Sequence, residues 1–152
     1  MKIIIGTDHR GFAAKEYLKT VDTINNQAIE WIDVGAYDDK RSDYPLFAQH
    51  VCEMMEISMD IEHGILICGT GGGMAVAANR YKHIYAIVAW NQETAKLSVE
   101  YDKSNVLVIP ADFVSEDDLL GIVSSWLQAK FRGGRYQERI AIIDSLTDSD
   151  SF

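Results

Sequence analysis

The sequence predicts an α/β fold: a single domain, arranged as a three-layer sandwich around a five-stranded parallel sheet, with a C-terminal helix. Three observations carry this. Short apolar runs recur five times, each bounded by polar or glycine-rich turns. Segments of helical composition or spacing lie between them, and that alternation specifies parallel strands covered on both faces. The length of 152 residues and an apolar share of 47% suit one domain with its own core. The domain is expected over residues 1–146, with 147–152 a polar tail that frays.

Taken in order, residues 2–6 form a continuous apolar run, the pattern of a strand buried on both faces. The polar stretch Thr7-Asp8-His9-Arg10-Gly11 ends it. Residues 12–21 read as a helix on the propensities of Ala13, Ala14, Lys15, Glu16 and Leu18. Asn25-Asn26 marks a turn, residues 28–34 a second strand and 35–44 a long polar loop. Pro45 suits the first turn of the next helix, where its missing donor costs nothing. Phe47, Val51, Met54 and Met55 then fall at i, i+4, i+7 and i+8, one buried face.

Strand three is expected at 64–68, a helix at 74–81, strand four at 84–89, a helix at 92–101 and strand five at 105–109. Leu119, Leu120, Val123, Trp126 and Leu127 give another helical stripe. Gly133-Gly134 breaks the chain before a last helix over 135–146.

The net charge is −9, which argues against nucleic acid or an anionic membrane as partner. Two cysteines, Cys52 and Cys68, make no disulfide framework, so a reducing compartment is expected. The opening apolar run is too short for a signal peptide, and no apolar run reaches membrane-spanning length. A soluble cytoplasmic protein is the expectation.

The densest chemical signal is Cys68-Gly69-Thr70-Gly71-Gly72-Gly73. A strand that breaks into a glycine-rich turn and then a helix exposes backbone N–H groups that suit an anion. A cysteine at its rim sits where a thiolate is favoured. The turn matches neither the Walker loop nor the dinucleotide fingerprint. Taken alone it also fits a tight turn that simply needs small residues, as Cys68 alone fits a small buried hydrophobe. Cys52, on the apolar side of a helix, keeps that plain role. In a parallel sheet ligands bind beyond the carboxyl ends of the strands, which places Asp8 and His9, the 68–73 segment, and Trp90 and Asn91 on one edge. Asp8 equally suits a helix cap. Arg132, Arg135 and Arg139, at i, i+3 and i+7, can line one side of the last helix and offer a phosphate two guanidiniums, or else form a solvated face. His50, His63 and His83 show no metal-ligand spacing; no metal and no cofactor are expected.

These residues resemble one family. The carriers are Gly6-Thr7-Asp8-His9-Arg10-Gly11, Asp33-Val34-Gly35, Ser42-Asp43-Tyr44-Pro45, Ile67 to Gly73, Ala77-Ala78-Asn79-Arg80, Ser104-Asn105-Val106-Leu107 and Gly133-Gly134-Arg135-Tyr136-Gln137-Glu138-Arg139. Over residues 2 to about 144 the chain resembles type B ribose-5-phosphate isomerases and the wider family that includes galactose-6-phosphate isomerase subunits. The resemblance implies a Rossmann-like fold and a homodimer or dimer of dimers with active sites at the interface. It implies interconversion of ribose 5-phosphate and ribulose 5-phosphate through a cis-enediolate, a step of the pentose phosphate pathway, without metal or cofactor. Cys68 matches the family's base and Thr70 the hydroxyl beside it. Gly69, Gly71, Gly72 and Gly73 match the loop that holds the enediolate oxygens, and Asp8, His9, Tyr44, Arg135 and Arg139 match substrate-contacting positions. Met74 stands where another branch carries a glutamate base.

Two positions depart from the pattern. Tyr101-Asp102 stands where the family usually has His-Asn, the histidine being associated with ring opening; Tyr101, His9 and Asp102 are the candidates for that step here. Asp112 stands where the family often has an arginine that reaches the neighbouring subunit's phosphate. A six-carbon sugar-phosphate isomerase and a non-catalytic sugar-phosphate binding protein are the competing readings, and retention of Cys68, Thr70 and both arginines together argues against the second.

Overall fold

The computed structural model describes residues 1–148. Five strands form one parallel sheet: β1 (Lys2–Thr7), β4 (Glu30–Asp33), β5 (His63–Cys68), β6 (Ala86–Val88) and β7 (Val106–Pro110), in the order β4-β1-β5-β7-β6. The central strand is β5, which pairs with β1 and β7; at its end Cys68 lies opposite Pro110. Ile3, Ile4, Ile5, Ile65, Leu66, Ile67, Leu107, Val108 and Ile109 are all fully buried, so the continuous apolar runs are strands covered on both faces.

Two helical layers cover the sheet. On one face α1 (Phe12–Lys19), α4 (Gln92–Asp102) and α5 (Glu116–Gln128) contribute Leu18, Ala95, Leu119, Ile122, Val123 and Trp126 to a core with Ile3, Ile5, Ile65 and Ile67. On the other, α2 (Tyr44–Ile57) and α3 (Gly72–Ala78) bury Ala48, Val51, Cys52, Met74 and Ala78 against Ile4, Leu66 and Val108. Phe47, Met54 and Met55 pack against this second core, as their spacing predicts. The last helix, α6 (Arg135–Thr147), packs on α4 and is tied down by a 2.6 Å hydrogen bond from the Tyr85 hydroxyl to Asp144. Among the described residues no helix is long and apolar enough to cross a membrane.

The sequence expectations need correction at three places. The segment 28–34 is not one strand. Asn25 and Asn26 both take left-handed backbone (φ 53° and 62°), the requirement of a tight hairpin turn. They join two short strands, β2 (Thr23–Ile24) and β3 (Gln27–Ala28), ahead of β4. The helix after the glycine turn starts at Gly72, not 74, so Gly72 and Gly73 form its first turn. Arg132 is not on the last helix: Gly133 and Gly134 have φ of +67° and +56°, and α6 begins only at Arg135. Of the polar tail at 147–152, residues 149–152 lie outside the described residues.

Candidate active site

The chain order creates a crevice. From β1 the chain moves to the neighbouring edge strand β4, then crosses back to β5 on the other side of β1. The helices that follow β1 and β5 lie on opposite faces of the sheet. Their connecting segments therefore diverge at the carboxyl ends of two adjacent strands, the switch point at which open parallel sheets bind ligands.

Asp8 and His9 form one wall. Asp8 is 5% exposed and caps the 3₁₀ turn His9–Gly11, its Oδ1 accepting from the Arg10 backbone N–H at 2.9 Å. The His9 backbone N–H donates to the Ser42 hydroxyl (3.2 Å), while His9 Nδ1 accepts from the Ser42 backbone N–H (3.3 Å). With Nδ1 an acceptor, the neutral ring carries its proton on Nε2, which is left as a donor.

The loop bearing Ser42 is set from below. Lys15, fully buried, donates to Asp33 Oδ1 (2.7 Å), Asp33 Oδ2 (2.8 Å) and the Ala36 carbonyl (2.6 Å). Thr7 and its neighbours extend the sheet into this loop through Thr7 N–H to Gly35 O and Ala36 N–H to Thr7 O, both 2.7 Å. Burial pushes the Asp33 carboxyl up, but hydrogen bonds from Lys15, Lys19 and the Gly35 N–H outweigh it and hold the group below its ordinary value.

Cys68 and the loop after it form the opposite wall. Cys68 is 4% exposed among Leu66, Met74 and Val108. Its carbonyl accepts from the Ala111 N–H (2.8 Å), and that of Gly69 from the Asp112 N–H (3.0 Å), so the end of β7 pins the start of the loop. Gly71 has φ +78°, a conformation that glycine adopts without a Cβ penalty. At Gly73 a Cβ would stand 2.5 Å from the Tyr44 ring and 2.9 Å from its hydroxyl oxygen, so the missing side chain lets Tyr44 lie against the loop. Thr70 is exposed and borders a depression of about 440 Å³ lined by Val88, Trp90, Pro110 and Phe113. Cys52 is buried in α2; burial and the charges of Glu56 and Glu53 push its thiol up to about 12, which leaves it inert as a base at neutral pH.

The remaining candidates fall elsewhere. The helix α4 starts beyond the carboxyl end of β6 and runs back to the amino end of β7, about 16 Å for eleven residues. Tyr101 and Asp102, at its end, therefore sit at the opposite edge of the sheet from Cys68. There Tyr101 stacks on Tyr136, with ring centroids 4.9 Å apart. Arg132 lies over the Tyr101 ring at 5.1 Å, and Arg135 and Arg139 over the Tyr136 ring at 5.1 and 5.6 Å. Arg135 also donates to the Tyr136 hydroxyl (3.2 Å), and this bond with the surrounding guanidinium charges holds the phenol below its ordinary value. Arg132 bonds Glu100 at 2.8 Å.

Within one chain the structure thus brings Asp8, His9, Tyr44, Cys68, Thr70 and the glycines together, and gathers Tyr101, Arg135 and Arg139 into a separate cationic and aromatic cluster near Asp102. Three participants escape the sequence reading. Each stands within a family motif but is given no role there: Arg10 after Asp8-His9, Ser42 before Asp43-Tyr44, and Tyr136 between Arg135 and Arg139. Among the described residues no group of three or more His, Cys, Asp or Glu side chains is disposed to hold a metal ion.

Comparison with known proteins places the sequence and the fold in one family. Residues 3–143 match the family model described as Ribose/Galactose Isomerase. The chain is 36% identical over 145 residues to the ribose-5-phosphate isomerase B of Escherichia coli, covering 95% of each chain. It is 37% identical over 139 residues to a probable ribose-5-phosphate isomerase B of Mycoplasma genitalium, covering 91% of this chain and 90% of that one. Among solved structures, a ribose 5-phosphate isomerase of Thermotoga maritima superposes with a TM-score of 0.88 at 37% identity, covering 95% of this chain and 97% of that one. The M. genitalium enzyme with bound ribulose 5-phosphate superposes with a TM-score of 0.85 at 37% identity, covering 97% of each.

Proposed function

The chain belongs to the ribose/galactose isomerase family, and on that premise we propose that it is an aldose–ketose isomerase interconverting ribose 5-phosphate and ribulose 5-phosphate without metal or cofactor. The observation that carries the reading is the switch-point crevice. It sets Cys68, at the end of the central strand, beside a loop of small residues and across from Asp8 and His9.

The chemistry follows from those positions. The Cys68 thiolate takes the proton from C2 of the open-chain aldose and returns it to C1. Negative charge moves onto the substrate oxygens, where the backbone N–H groups of Gly69, Thr70, Gly71, Gly72 and Gly73 face it. One such donor is worth roughly 2.7–4 kcal/mol in the transition state. The Thr70 hydroxyl passes the proton from O2 to O1. His9 Nε2, Asp8 and the Tyr44 hydroxyl orient the sugar.

The anchor and the ring-opening group come from a second copy of the chain. Arg135 and Arg139 carry the charge a phosphate needs, and Tyr101, with Asp102 beside it, is the acid–base for ring opening. These residues lie at the far edge of the chain that holds Cys68, so a homodimer, or a dimer of dimers, is the assembly in which both sets meet. Exposed apolar side chains on α6, with Ile142 63% and Ile143 47% exposed, support such pairing.

The test is a coupled assay on five- and six-carbon sugar phosphates in the presence of chelator. Turnover of ribose 5-phosphate, unchanged by chelator, is the expected result. Preference for a six-carbon substrate would assign the site to the other branch of the family, and binding without turnover would make the protein a sugar-phosphate binder.

A further inference from the structure

We propose that Arg10 binds the phosphate of the substrate, and that Asp112 is an internal stand-in which holds the guanidinium until the phosphate displaces it. The proposal rests on the isomerase reading for its substrate, though the phosphate site itself does not depend on turnover.

Arg10 is the middle residue of the His9–Gly11 turn, and its backbone is fixed by the bond to Asp8. From there its side chain crosses the mouth of the crevice and lies flat on Gly69. A Cβ at Gly69 would stand 2.6 Å from Arg10 Cζ, 2.7 Å from Nε and 2.8 Å from Nη1. Gly69 does not have positive φ, so the glycine here serves as the seat for the guanidinium. Beyond Gly69, Nη2 of Arg10 meets the Asp112 carboxylate, and the Asp112 N–H in turn bonds the Gly69 carbonyl. The ends of β1, β5 and β7 are thereby tied together at the point where a ligand must enter.

The pair suits exchange. The side chains of Arg10 and Asp112 are 52% and 33% exposed, and water-screened ion pairs of this kind contribute little stability. A phosphate dianion carries two charges and offers two oxygens to the planar fork, a better partner than one exposed carboxylate. Without Arg10 the crevice mouth would present the Asp112 carboxylate to an anionic substrate in a chain of net charge −9. With Arg10, Asp112 both supplies a neutral resting state and lowers affinity for the incoming anion.

Exchange makes a prediction that a purely structural clamp does not: removing the two partners must have opposite effects. The dissociation constant of inorganic phosphate is measured by calorimetry, and KM and kcat for ribose 5-phosphate by the coupled assay. The proteins are wild type, Arg10→Ala, Arg10→Lys, Asp112→Asn and, as a remote-carboxylate control, Asp60→Asn. Arg10→Ala should weaken phosphate and raise KM about tenfold or more, with Arg10→Lys between it and wild type. Asp112→Asn should tighten phosphate and lower KM severalfold, and by more than Asp60→Asn. Shifts of the same sign for Arg10→Ala and Asp112→Asn would overturn the proposal. So would unchanged phosphate affinity in Arg10→Ala with a fall in kcat alone, which would put the guanidinium on the reacting oxygens. Failure of the wild type to bind millimolar phosphate would overturn it too. Phosphate binding that follows the expected order in a protein with no turnover would leave the Arg10 site standing and remove the isomerase reading instead.

Discussion

Tyr101 stacks on Tyr136 with ring planes 18° from parallel, joining the end of α4 to the start of α6. Each ring also carries a guanidinium on its flank, Arg132 over Tyr101 and Arg135 and Arg139 over Tyr136. Ring stacking and cation–π contact depend on the aromatic face and not on the hydroxyl, so the two roles of Tyr101 separate by substitution. Tyr101→Phe keeps the stack and removes the proton. Turnover of ribose 5-phosphate should fall by about 10²-fold, the lower end of general acid–base contributions, with little change in melting temperature. Tyr101→His should recover activity and unmask a deuterium effect at C2 that slow ring opening hides in the wild type. If both variants match wild type in rate and isotope effect, Tyr101 is a stacking partner only, and His9 becomes the residue to test for ring opening.

The two-copy site predicts complementation. Arg139→Ala should be inactive at low substrate for want of its anchor, and Cys68→Ala for want of its base. Mixed in equal amounts and allowed to exchange subunits, the two should recover activity, about a quarter of wild type for a randomly reassorted dimer with interface sites. No recovery in a mixture shown to exchange would place anchor and base in the same chain.

Arg135→Ala and Arg139→Ala should each weaken phosphorylated ligands by roughly tenfold or more, the scale of one charge-assisted hydrogen bond. Unphosphorylated ribose should show no such dependence. Equal losses for both ligands would assign the arginines to the Tyr101–Tyr136 cluster or to dimer contacts.

The Lys15–Asp33 pair sets acid sensitivity. Because the folded Asp33 carboxyl lies below its ordinary value, the folded state binds fewer protons than the unfolded one near pH 4. The stabilisation is present above the unfolded carboxyl value near 3.9 and is lost as pH falls through the folded value. Denaturant titrations between pH 6 and 3 should show this loss in wild type and a smaller one in Asp33→Asn. At neutral pH Asp33→Asn should be destabilised by about 3 kcal/mol, since it leaves the fully buried Lys15 ammonium with only the Glu16 carboxylate, at 3.5 Å, and the Ala36 carbonyl. A pH profile identical in the two proteins would mean that Asp33 is not linked to folding.

Much of this architecture is legible in the chain. Apolar runs such as Ile3-Ile4-Ile5 and Ile65-Leu66-Ile67, each bounded by turn residues, read as strands covered on both faces, and the break after Cys68 reads as a turn, although Gly72 and Gly73 belong to the helix that follows it. The hairpin of β2 and β3 is not, because two-residue strands leave no period to detect. The true start of α6 turns on the positive φ of Gly133 and Gly134, which separates Arg132 from a helix its spacing fits equally well. The division of the candidate residues is harder still. Motifs give membership of a site, whereas the edge of the sheet on which Tyr101 falls depends on the direction of α4. The pairing of Arg10 with Asp112, across 102 residues of sequence, has no local signal at all.

The central claim is that Cys68 is the base, and the direct measurement is turnover beside ligand binding in Cys68→Ala, with Cys52→Ala as the paired control. The account predicts that Cys68→Ala loses measurable isomerisation of ribose 5-phosphate while binding the sugar phosphate within about tenfold of wild type, about 1.4 kcal/mol. Cys52→Ala, which removes a thiol that burial keeps protonated, should turn over at close to the wild-type rate. Wild-type turnover in Cys68→Ala would contradict the account outright.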